Sequence, residues 1–138
     1  MSWLKNTLCS VLAYLACGLT LDAFAADGQP ELTIINQQGS APVTDIYYWI
    51  TDNTGTIDCV SNQATGIKIP LATHITTIFK KDMAPACQAS SINAYVLHVH
   101  GDFNFAWNYT TYPKSGQTCT ALHDKSGLFF TTIHLNCL

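Results

Sequence analysis

His98 and His100 are the residues of this chain whose types and spacing come nearest to chemistry. Side chains alternate across a strand, so the two imidazoles of His98-Val99-His100 stand on one face, a geometry able to chelate Zn2+ or Cu2+. If Phe129, Ile133 and Leu135 point inward, His134 points outward as well. His74 does the same if Ile75 and Phe79 are inward, which would put three or four histidines on a sheet face. The plainer reading is the solvated outer face of an antiparallel sheet. Ligand number and geometry decide between the two, and the spacing alone favours the plainer one, so neither metal nor cofactor is expected.

His-Val-His on a strand is similar to the copper-ligand pair of the copper–zinc superoxide dismutases. The resemblance covers these three residues. The spaced histidines and the aspartate that complete that family's site have no counterpart here, so its activity is not implied. Nucleophilic catalysis has less support. The chain has no Gly-x-Ser-x-Gly elbow. Asp45, Asp52, Asp58, Asp102 and Asp124 fall mostly at strand ends and turns, where Asp is a turn former. No carboxylate pair stands out for glycosidic chemistry. The reading is of a protein that binds rather than catalyses.

The aromatic residues are the stronger lead. In Asp45 to Thr51, Ile46, Tyr48 and Ile50 make the more aliphatic face, so Tyr47 and Trp49 are expected together on the other one. An exposed aromatic pair marks a ligand, partner or lipid contact. The alternative is that both faces of the sheet are partly covered, or that Trp49 lies under a loop. Lys80 and Lys81 beside such a patch would suit a phosphate or a lipid head group, although two lysines also suit a solvated strand end. Asn108-Tyr109-Thr110 matches the glycosylation sequon, which matters in a eukaryotic source.

The elements that must position these residues are strands. Tyr95, Leu97 and Val99 alternate with Val96, His98 and His100; beyond Gly101-Asp102, Phe103, Phe105, Trp107 and Tyr109 alternate with Asn104, Ala106 and Asn108. Two period-two runs around a Gly-Asp break predict a hairpin. A two-residue loop would set His100 opposite Phe103. An odd loop, Gly101 to Phe103, pairs Val99 with Phe105, Leu97 with Trp107 and Tyr95 with Tyr109. The odd register keeps one face apolar and the other polar, with His98, His100, Asn104 and Asn108. It is the one expected, because a one-residue slip would flip every side chain.

Further strands are predicted from Leu32 and Ile34, over Asp45 to Thr51, Thr56 to Ser61, Ile67 to Leu71, His74 to Lys81, Thr118 to Leu122 and Leu128 to Cys137. Asp52-Asn53-Thr54-Gly55 and Asp124-Lys125-Ser126-Gly127 read as turns. No window has a helical period. Short strands at about ten-residue spacing predict a small antiparallel β-sandwich, or a partly open barrel, of about 7–9 strands.

Compartment follows from the N-terminus and the cysteines. Lys5 precedes an apolar run from Thr7 to Leu21, and Ala23-Phe24-Ala25 fits cleavage ahead of Ala26, so residues 1–25 are expected to be a Sec signal peptide and 26–138 a single secreted domain. The rival is a lipoprotein signal acylated at Cys17 in Tyr14-Leu15-Ala16-Cys17, where Leu is usual at the position of Tyr14. The look of the signal is bacterial, and the expected location is secreted or periplasmic. No other run is long enough to span a bilayer. Of six cysteines, Cys9 and Cys17 leave with the signal. Cys59, Cys87, Cys119 and Cys137 predict two disulfides, since zinc would need close Cys pairs. Sequence neighbours are favoured: Cys59 with Cys87 and Cys119 with Cys137. All six basic residues are lysine and the formal net charge is −3. That balance disfavours nucleic acid and charge-driven binding to anionic membrane.

The function expected is that of an exported, disulfide-stabilised, non-enzymatic binding module. It would recognise an extracytoplasmic glycan, lipid head group or protein through an exposed aromatic surface with Tyr47, Trp49, Lys80 and Lys81. The alternative is a Zn or Cu protein, or a small metalloenzyme, using His98, His100 and His134.

Overall fold

Alternating burial builds the strands. In β1 (Leu32–Gln38) Leu32, Ile34 and Asn36 are buried while Thr33 and Ile35 are half-buried. In β2 (Ile46–Asp52) Ile46, Tyr48 and Ile50 face the core as expected. The computed structural model describes residues 28–41, 44–69, 75–101, 108–128 and 130–138. The expected signal peptide, with Cys9 and Cys17, lies outside the described residues, as do His74, Phe103, Phe105 and Trp107. The remaining strands are β3 (Asp58–Val60), β4 (Ile67–Ile69), β5 (Ile75–Ile78), β6 (Tyr95–Gly101), β7 (Asn108–Thr111), β8 (Gln117–Ser126) and β9 (Phe130–Cys137). The only helical pieces among the described residues are single 3-10 turns, Lys80–Asp82 and Pro85–Cys87.

The chain is a two-layer, open β structure with no α-helix among the described residues. The first sheet runs β5-β1-β8-β9; the second runs β3-β2-β6-β7, with β4 also on β2. β3 and β4 share one edge of β2: β4 pairs with Ile46 to Tyr48 and β3 with Ile50 and Thr51. All pairings are antiparallel except β1 with β8, which is parallel. Apolar faces meet between the sheets, with Leu32, Ile34, Ile46, Tyr48, Ile50, Ile69, Leu97, Val99 and Ala121 in one cluster. Both predicted disulfides are present, Cys59–Cys87 and Cys119–Cys137.

The β6–β7 register differs from the expected one. Val99 pairs with Tyr109 and Leu97 with Thr111, so the return strand is displaced by four residues from the pairs expected with Phe105 and Trp107. Tyr95, expected opposite Tyr109, lies across from Asp52 on β2 instead. Residues 102–107, on which the expected pairs of Val99 and Leu97 fell, lie outside the described residues. An even displacement leaves the faces unchanged: Val99 and Tyr109 share the core side, and His100 and Asn108 the outer side. Periodicity sets parity, and here it did not set which residues of the two strands pair.

One end of the sandwich is closed by a polar tie. Lys80 Nζ donates to Glu31 Oε1 (3.2 Å), to Tyr95 Oη (2.6 Å) and to the Ile92 carbonyl. The Tyr95 hydroxyl donates to Glu31. Burial opposes the charge on Glu31, but hydrogen bonds from Ser115, Tyr95 and Lys80 outweigh it and hold the carboxyl below its ordinary range. Burial, with Glu31 beside it, pushes the Tyr95 phenol upward. The tie joins the start of β1, the turn after β5 and the start of β6.

Candidate functional site

Alternation on β2 and β6 puts Tyr47, Trp49, His98 and His100 on the outer face of the second sheet. The register sets Tyr47 opposite His100 and Trp49 opposite His98. Each pair stacks flat: Trp49 and His98 centroids are 4.7 Å apart at 1°, and Tyr47 and His100 are 5.0 Å apart at 9°. Trp49 also meets His100 at 6.0 Å, tilted by 57°. Cross-strand neighbours of this kind are the unit of sheet stabilisation, and aromatic pairs add to simple burial.

The face is not the open aromatic patch expected. Trp49 stands on the predicted side of β2, yet only 5 % of it is exposed. Its flat stack on His98 covers one ring face. Tyr47, His98 and His100 are half-buried, so the accessible part of the cluster is the Tyr47–His100 pair and the edge of His98. Gly66 lies against this pair: a Cβ there would come 3.2 Å from Tyr47 Cβ and 3.9 Å from His100 Nε2.

Hydrogen bonds set the imidazoles. His100 Nδ1 is 3.2 Å from the Gly101 carbonyl, which only accepts, so Nδ1 carries the proton and Nε2 keeps its lone pair. The Thr51 hydroxyl lies 3.3 Å from His98 Nε2. Burial lowers the His98 pKa, against an upward pull from the Asp58 carboxylate. The cluster is an aromatic surface of two flat cross-strand stacks.

The other predicted residues are elsewhere. Lys80 belongs to the polar tie, on the core side and at the Asp52 end of the second sheet, away from Tyr47. Exposed Lys81 reaches over the Phe79 ring at 5.8 Å. His134 faces outward as expected, but from the first sheet, where its Nε2 is 3.8 Å from Asp124 Oδ2. It cannot join His98 and His100, because the core of the sandwich separates the two outer faces. Among the described residues, no three His, Cys, Asp or Glu side chains come together as a metal site.

Asp52 shapes a turn, as its type suggested, whereas Asp124, expected to open a turn over Asp124 to Gly127, lies within β8, paired with Thr132. The Thr54 hydroxyl and the backbone N–H groups of Ile57 and Thr56 bring Asp52 down to about 2. The backbone N–H and hydroxyl of Ser40 lower Asp124, with help from His134.

One buried polar pair escaped the reading from sequence. His123 is fully buried, its Nε2 2.6 Å from Asn36 Oδ1, while Asn36 Nδ2 donates to the Thr44 carbonyl at 2.9 Å. The amide is thus oriented to accept from His123, and His123 Nδ1 is left without a partner. The signal was in the alternation Cys119, Ala121, His123, had the strand been continued past Leu122.

Comparison with protein-family models, with curated proteins and with solved structures found no match.

Proposed function

We propose that this chain is a non-enzymatic binding module, exported from a bacterial cell and secreted or held in the periplasm, that recognises an extracytoplasmic ligand through the outer face of its second sheet. The observation that carries the reading is the stacked Tyr47–His100 pair. Two half-exposed rings stacked on each other, with Trp49 tilted against His100 at 57°, offer a preordered surface for the apolar face of a sugar ring. Rings already immobilised lose little entropy on binding. The two disulfides suit an oxidising compartment. The residues assigned to contact are Tyr47 and His100, with Trp49 as the support beneath them. The test is a glycan array followed by titration of any hit. Tyr47→Ala and His100→Ala should each weaken binding tenfold or more, while costing only the roughly 0.2–1 kcal/mol of a cross-strand pair in stability. Unchanged affinity in both variants would reject the platform.

The bare Nε2 of His100, beside His98 on the same face, favours metal binding as the second reading. A hydrogen-bonded Nδ1 is the usual way of presenting Nε2 to a metal. Titration with Zn2+ and Cu2+ tests it: stoichiometric binding lost in a His98→Ala/His100→Ala variant would put metal ahead of glycan.

A further inference from the structure

The outer face of the second sheet continues past the Tyr47–His100 pair, because β7 adds its own row to it. Asn108 lies opposite His100 and Thr110 opposite His98, and both are exposed. The ladder runs on beyond β7: the Tyr95 N–H donates to the Pro113 carbonyl at 2.9 Å, and Ala94 bridges Lys114. That register sets Tyr112 opposite Val96. Alternation puts the Tyr112 ring on the same face as Asn108 and Thr110, where it is 73 % exposed. Its Cα stands about 14 Å from that of His100, four residues along β7 and one strand across.

Tyr112 is exposed, but its backbone is anchored. A residue before proline is confined to extended conformations. Pro113 is fully buried, and its carbonyl is held by Tyr95. The face therefore carries two aromatic stations on fixed backbone. Between them lie the edge of His98, the Asn108 amide and the Thr110 hydroxyl, polar groups that can meet sugar hydroxyls. Neither β6 nor β7 carries a lysine, arginine, aspartate or glutamate. The Lys68–Asp45 ion pair lies beyond Tyr47, on the β4 side.

We propose that this face binds an extended, uncharged, linear oligosaccharide, which stacks one sugar on the Tyr47–His100 pair and a later one on Tyr112. The inference rests on the glycan reading of that pair and deepens it. Spacing sets the length: one sugar ring covers one station, and only a chain longer than a disaccharide reaches both. Flatness sets the linkage. A sheet face suits a β-linked ribbon, whose apolar ring faces stay in line, whereas an α-linked coil would turn away from it. The composition of β6 and β7 sets the class, since a uronate or phosphate laid across them would lose water without gaining a lysine or arginine partner.

Calorimetric titration with cello-oligosaccharides and chito-oligosaccharides, each from monomer to hexamer, tests the proposal. With wild type, one of the two series should bind at least about tenfold more tightly at the hexamer than at the dimer, because a second contact on a bound chain is an intramolecular step. Tyr112→Ala should lose that gain, so that its hexamer affinity falls to that of the dimer. Tyr112→Trp should keep it, since an aromatic ring is what the station requires. Leu138→Ser, which alters an exposed residue beside the first sheet, should follow wild type. A gain with length that survives in Tyr112→Ala overturns the proposal. Affinity that is flat with length also overturns it; if that affinity is lost in Tyr47→Ala, the platform stands as a site for a short sugar and only the extension falls. Binding of neither series overturns the proposal as well, and a glycan array without any hit removes the platform with it. A concentration-dependent dimer abolished by Tyr112→Ala would assign the face to a second copy of the chain, and would equally overturn it.

Discussion

At Trp49, strand parity and accessibility part company. The residue is on the face that alternation assigns to it, but the stack on His98 makes it a buried member of the outer layer. Trp49→Ala should therefore destabilise the fold by about 3 kcal/mol, the lower end of the range for a buried Trp, as measured by urea unfolding. A loss below about 1 kcal/mol would show the indole to be dispensable packing. His123 makes the second residue-scale prediction. Its Nε2–H goes to Asn36, so a second proton would have to sit on the partnerless Nδ1 in a fully buried place. Burial accordingly lowers its folded pKa below the ordinary 6.5. The unfolded chain then binds more protons than the folded one, and stability falls as pH drops through about 6.5 toward the folded value. One such group gives a slope of up to about 1.4 kcal/mol per pH unit. His98 is shifted the same way and adds to the slope. Denaturation midpoints between pH 7.5 and 5 should therefore fall in wild type and fall less in His123→Gln, whose amide can still donate to Asn36. Equal slopes in the two proteins would remove His123 as the source.

At the scale of elements, strands and turns were legible where their signals are local. Asp52 to Gly55 turns as its residue types demand, and β2 buries Ile46, Tyr48 and Ile50 by simple alternation. The two disulfides followed from cysteine number and sequence proximity. What failed to show were features set by distant parts of the chain. The β6–β7 register falls four residues further along than alternation suggested, because parity alone leaves every even displacement equally allowed. β8 reads as ending near Leu122, because Asp124, Lys125 and Ser126 are turn-forming types. In the fold they continue the strand, since β9 supplies their backbone partners and Ser40 satisfies the Asp124 carboxylate. Lys80 was expected beside the aromatic patch, or else at a solvated strand end; Glu31 and Tyr95, far away in sequence, draw it into the tie. Of the site, the pairing of His98 and His100 on one face was legible. Their stacking partners depended on the β2–β6 register.

For the molecule as a whole, the two disulfides tie different things together. Cys59–Cys87 anchors β3 to the turn between β5 and β6, the segment that carries the chain from the first sheet to the second. Cys119–Cys137 staples the edge strand β9 to β8. Their sequence separations are 28 and 18 residues. The loop-entropy argument makes each worth about 3 kcal/mol and separates them by only about 0.4 kcal/mol. Loop length is thus too weak to rank them, and access must decide the order in which they open. Cys59, Cys87 and Cys119 are buried, whereas Cys137 is half-buried in an edge strand. A thiolate can reach Cys137 without unfolding the sandwich, while Cys59–Cys87 is shielded on both sides. Limited dithiothreitol at neutral pH, followed by alkylation and peptide mass mapping, should label Cys119 and Cys137 first. Cys59 and Cys87 should react only as the fold melts, with a large drop in melting temperature on full reduction. Simultaneous labelling of all four cysteines would mean that the bonds open by global unfolding, and that the exposed edge of β9 gives reductant no privileged entry.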